Sequence, residues 1–83
     1  MADEEISFQF TGNPPEIFKR MLFTLIKETM KNIKKEVLKN EGFIQLDYMD
    51  EKEFSLRAVS INPETTIKMT VILQSILTKF RRN

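Results

Sequence analysis

The sequence predicts an α+β domain with element order β-α-β-β-α, its three strands in one antiparallel sheet and two helices packed on one face of it. Three patterns predict this. Ile6, Phe8 and Phe10 alternate with polar residues, apolar residues recur every three or four positions from Glu16 to about Lys39, and two further alternating stretches, Phe43 to Tyr48 and Phe54 to Val59, flank a polar connection. A small antiparallel sheet cannot leave its apolar face in water, which places both helices on that face.

The first stretch, Glu5 to Phe10, has the two-residue period of a half-buried strand. Thr11-Gly12-Asn13-Pro14-Pro15 stops it, with Asn13 able to cap a helix and Pro14 suited to its first position. Phe18, Met21, Leu22, Leu25, Ile26, Met30, Ile33 and Val37 then form the stripe of one long amphipathic helix, which has no interior Gly or Pro. Asn40-Glu41-Gly42 ends it, Gly42 being placed to take the left-handed conformation. The hairpin follows, and Met49 to Glu53 lacks Gly, which favours a longer loop over a tight turn.

Asn62-Pro63-Glu64 opens the last element as a cap, a first-turn proline and an acid at the positive end of the dipole. Met69, Leu73, Ile76 and Phe80 continue it as a helical stripe. Thr66 to Val71 is also β-branched and alternating, so a third hairpin strand before a shorter helix stays open at this point.

The chain of 83 residues suits a single domain spanning residues 1–83. A domain of this size buries only roughly 60–65 % of its unfolded surface, so stability calls for help from a disulfide, a metal or a partner. With no Cys and no His, the first is excluded and the usual transition-metal ligands are missing. A dimer or a stable complex is therefore expected. The lack of Cys, the absence of an apolar run long enough for a bilayer, and the acidic start Ala2-Asp3-Glu4-Glu5 fit a soluble, cytoplasmic protein.

The same two absences make catalysis hard to build, and neither an enzyme activity nor a cofactor is expected. Asp47, Asp50, Glu51 and Glu53 match no calcium-loop spacing and read as a solvated hairpin tip. With Gly12 and Gly42 the only glycines, neither a phosphate-cradling loop nor the Gly-x-x-Gly clamp of KH-type RNA binders can form.

Net charge is +1, unevenly spread: residues 14–40 carry +4, residues 62–83 carry +3 and the remainder −6. On a helical projection Arg20, Lys27, Lys31 and Lys34 share a sector, with Lys35 at its edge and Lys79, Arg81 and Arg82 able to extend it. Such a line can follow a phosphate backbone, or simply keep a surface solvated. It supports an alternative reading as an autonomous nucleic-acid-binding module. Phe23, Ile67 and Val71 point at least partly outward if both helices form, which suggests a second packing surface for a partner chain.

Taken together, Ile6-Ser7-Phe8-Gln9-Phe10, a helix, the hairpin Phe43 to Val59 and the stretch Ile67-Lys68-Met69-Thr70-Val71 resemble the small dimerising subunit of the KEOPS complex and its paralogues. That complex modifies tRNA with threonylcarbamoyl-adenosine. The likeness spans nearly the whole chain in element order. The chain departs from the family at Ile72 and Leu73, where an Asn-Ser pair is usual, and in its longer first helix. The resemblance implies a non-catalytic accessory subunit that pairs with itself or a paralogue and docks its helices on an ATP-binding catalytic subunit, with tRNA contact through basic surface. It implies docking roles for Ile67, Lys68 and Val71.

Overall fold

Gly12 fixes where the first strand stops. Its φ is 83°, and a Cβ there would collide with the carbonyl oxygen of Tyr48, so only glycine lets the chain turn this close to its neighbour. In the computed structural model, which describes residues 4–81 with only the backbone of Arg81, the elements are β1 (Ser7–Thr11), α1 (Glu16–Thr29), a 3-10 turn (Lys31–Ile33), α2 (Lys34–Lys39), β2 (Phe43–Tyr48), β3 (Phe54–Val59) and α3 (Pro63–Arg81).

The sheet order is β1-β2-β3, with β2 and β3 antiparallel but β1 and β2 parallel, Ser7 opposite Phe43 and Thr11 opposite Asp47. The sheet is thus mixed, not wholly antiparallel as the sequence suggested. The reason is parity: α1 and α2 carry the chain back across the sheet, so β2 restarts from the end where β1 began.

A second correction concerns the helix between them. A straight helix from Glu16 to Lys39 would run about 36 Å, whereas a strand of six residues spans about 20 Å. The chain instead bends at Met30 (φ −93°, ψ 9°) and tightens into the 3-10 turn. The Thr29 hydroxyl donates to the Leu25 carbonyl at 2.7 Å, a local bond that bends helices. The bend buries Met30 and Val37 completely.

The start of α1 also differs from expectation. Pro14 precedes another proline and is therefore pushed out of the helical region. The helix opens at Glu16 with Pro15 at the cap position and no capping side chain. At the other end Glu41, not Gly42, takes the left-handed conformation, with φ 54°. Glu41 N donates to the Leu38 carbonyl at 3.2 Å and Gly42 N to the Val37 carbonyl at 2.8 Å, the paired bonds of a Schellman motif. Gly42 is required for space: a Cβ would lie 2.6 Å from Val37 Cγ1.

Asn62 caps α3 as expected, its Oδ1 accepting from Glu64 N at 2.9 Å. The helix runs on through Thr66 to Val71, so the strand reading of that stretch is not what the chain adopts. α1 and α3 lie on the face carrying Phe8, Ile44, Leu46, Tyr48, Phe54 and Ala58. Phe23 of α1 stacks on Phe8 with ring centroids 4.1 Å apart, and Phe18 meets Tyr48, Phe54 and Phe80, joining α1, the hairpin and α3 at one end. The opposite face carries the pair Phe43 and Val59 at one end and is otherwise polar, with Arg57 Nη2 donating to Gln45 Oε1 at 3.3 Å, and Gln45 Nε2 and Thr11 Oγ1 both donating to Asp47 Oδ1 at 3.1 and 3.0 Å.

The stop after α2 generates a paired expectation. Glu41→Gly removes a left-handed penalty and should stabilise the fold by about 1 kcal/mol, a rise of roughly 4–8 °C in Tm for this size. Gly42→Ala should cost about 1–3 kcal/mol by overpacking against Val37. Urea midpoints measured on both variants check the pair, and equal effects would contradict the assignment of the left-handed position.

Candidate functional surfaces

The junction between α2 and α3 is where the polar chemistry concentrates. Thr65, in the first turn of α3, is fully buried; its hydroxyl donates to Glu36 Oε2 at 2.8 Å and accepts from Asn40 Nδ2 at 3.0 Å. Asn40 Nδ2 also donates to the Glu36 carbonyl at 3.0 Å, and its own carbonyl accepts from Ile61 N. Lys68 Nζ sits 3.1 and 3.3 Å from the two oxygens of Glu36. The Thr65 hydroxyl first, and Lys68 second, hold the Glu36 carboxyl below its ordinary value of 4.5. Alongside, Ser60 Oγ and Thr66 Oγ1 share a hydrogen bond of 2.6 Å.

This junction decides which flank of α3 faces outward. Met69, Leu73 and Ile76 go into the core, and Lys68 is drawn toward α2. Ile67 and Val71, one turn apart, stand free on the side turned away from the core, 63 % and 62 % exposed, with Ile61 at 68 % in the loop before the helix. Two of the residues expected at a partner surface are therefore together there. Lys68 stands beside them but is paired with Glu36, and Phe23 is half-buried, its ring committed to Phe8.

Met21, expected in the buried stripe, is exposed, as is Ile17 one turn earlier. Met21 and Leu25 of α1 and Phe80 of α3 line an open apolar groove of about 510 Å³, edged by Arg20, Thr24 and Glu28. The helical projection missed it because Met21 belongs to the stripe only if the stripe is wider than the sheet can cover.

The expected basic line is divided. Arg20 and Lys27 are exposed on α1 and Lys31 on the 3-10 turn, but the bend separates them from α2. Lys34 is half-buried and paired with Glu5 at 3.5 Å. Lys35 lies instead in a cleft with Lys39, Lys68, Glu36, Asn40 and Asn62. Lys79 is exposed on α3; Arg82 and the side chain of Arg81 fall outside the described residues. The cleft joins Lys39 to Lys68 across 29 positions, which no local spacing signals.

The hairpin carboxylates are otherwise occupied. Asp50 Oδ1 accepts from the backbone N of Lys52 and of Glu53, both at 2.8 Å, which shapes the loop. Asp47 is held below the usual carboxylate range by the Gln45 amide and then the Thr11 hydroxyl. Burial, then the nearby Glu51 and Asp50 charges, push the Tyr48 phenol up. Among the described residues no group of three or more acids is arranged to hold a metal, and no helix is long and apolar enough to cross a membrane. Comparison with protein-family models, curated proteins and solved structures finds no match for the chain.

Because the Glu36 carboxyl is lowered in the fold, its contribution to stability is present above the unfolded value and is lost as pH falls through the folded one. Glu36→Gln should therefore flatten the loss of stability below about pH 4.5, which urea unfolding across pH 2–7 would reveal as converging curves at low pH. Thr65→Val, which strips a buried donor from Glu36 and a partner from Asn40, should cost about 1–3 kcal/mol at neutral pH. An unchanged urea midpoint for Thr65→Val would show that the junction holds without it.

Proposed function

We propose that this chain is a non-catalytic assembly subunit that binds another protein chain through the outer flank of α3. The observation that carries this reading is the exposed pair Ile67 and Val71 on a helix whose opposite side is already committed to the core. Removing either side chain from water is worth roughly 1–2 kcal/mol at about 25 cal/mol per Å², and a helix with apolar residues on two sides is the expected pattern where a second chain packs. The sheet offers this surface support, because α3 is anchored at both ends, by Thr65 and by Phe80 against Phe18 and Phe54.

The likeness in element order to the small KEOPS subunit gives the reading its finer form. The partner is then a second copy or a paralogue, together with an ATP-binding catalytic subunit, in a cytoplasmic complex that modifies tRNA. Ile67 and Val71 stand at positions that likeness marks for docking and are exposed; Lys68, also marked, is engaged with Glu36 and steadies the helix that presents them.

Light scattering at micromolar concentration tests the proposal. Wild type should run as a dimer or co-purify with its partner chain, whereas Ile67→Asp with Val71→Asp should be monomeric with an unchanged circular dichroism spectrum, since both side chains are mostly in water already. A wild-type monomer that captures no partner from its native extract would remove the proposal.

A further inference from the structure

The cleft between α2 and the first turn of α3 carries more positive charge than the fold accounts for. Lys35 and Lys39 stand one turn apart on α2, the like-charge i,i+4 spacing that destabilises a helix. Lys39 at least sits in the last turn, where the dipole favours a cation. Lys35 sits in the first turn, where the dipole opposes one. Its neighbour Lys34 is compensated by Glu5, but among the described residues Lys35 and Lys39 have no ion-pair partner.

Across the cleft stands Lys68, and the space they enclose with Asn40 and Asn62 is about 490 Å³. Glu36 also lines it. Both its oxygens are already used, Oε2 by Thr65 and Lys68 and Oε1 by Lys68, so the cleft keeps an excess of two positive charges over its one carboxylate. Aromatic side chains are absent from its lining, which suits a small, highly charged ligand better than a stacked base.

We propose that this cleft binds a phosphate group between Lys35, Lys39 and Lys68. Three lysines from two elements line the one cleft; each ammonium group, Lys68 keeping donors beyond those it gives Glu36, can donate to a different phosphate oxygen, and the bound charge relieves the Lys35–Lys39 repulsion. The phosphate is either free or part of an RNA backbone, and one set of measurements separates the two. The site also needs Lys35 and Lys39 of α2, which take no part in the surface formed by Ile67 and Val71.

The test uses the full chain, labelled with ¹⁵N and titrated with inorganic phosphate, then with pyrophosphate, and separately with an oligo(U) RNA followed by fluorescence anisotropy. Saturable shifts of the Lys35, Lys39 and Lys68 amides in phosphate, lost in Lys35→Gln with Lys39→Gln, are expected. If the source is RNA, the same double variant should bind about tenfold more weakly at low salt, and its salt slope should fall by about 1.4 for two contacts to a single strand. Lys27→Gln with Lys31→Gln, an equal charge change elsewhere, serves as the control and should cost little. Shifts with phosphate but no RNA binding support the cleft and assign it to a free phosphate. No saturable shift with any probe, or a control variant that weakens RNA binding as much, overturns the proposal. Circular dichroism of both variants confirms the fold.

Discussion

One buried hydroxyl sets the geometry on which both surfaces of α3 depend. Thr65 is fully enclosed and uses its single oxygen to join Glu36 and Asn40 of the α2 region to the first turn of α3. A helix held only by its apolar stripe can rotate by a fraction of a turn at little cost, because aliphatic packing is weakly directional. A donor and an acceptor engaged at once do not tolerate that rotation without leaving a buried polar group unmade. The junction therefore fixes the rotation of α3, and with it which flank carries Ile67 and Val71 into water and which brings Lys68 over the cleft.

The same logic extends to the other end of the molecule. Phe18, Tyr48, Phe54 and Phe80 form an aromatic cluster with centroid separations from 5.2 to 6.4 Å and mostly edge-on contacts. Each such pair adds about 0.5–1.5 kcal/mol beyond area burial. One end of α3 is thus held by hydrogen bonds and the other by rings. Its middle is free to spend one side on the core and leave the other uncovered.

Much of this was legible in the residues. Alternation located all three strands, and Asn62-Pro63 located the start of α3. The outward placement of Ile67 and Val71 followed from the helical projection once the helix reading was chosen. The parallel pairing of β1 and β2 is also within reach of the sequence, since a helical crossover of that length returns the chain to the starting end. What could not be read locally is the bend at Met30. No Gly or Pro marks it, and the pressure comes from the sheet being shorter than the helix that covers it. The bend in turn split the basic line, leaving Lys35 on the cleft with Lys39 and Lys68. Glu41 in the left-handed position has no signal either, and nothing in the structure explains why glycine was not placed there.

The mixed sheet also imposes an order of assembly. Tyr48 meets Phe54 across six positions, whereas Ser7 meets Phe43 across 36. Closing the longer loop costs roughly 1.5 kcal/mol more in chain entropy, and that cost falls before any contact of β1 rewards it. The hairpin with α3 is the natural nucleus, and β1, whose strand partner lies far along the chain, arrives last.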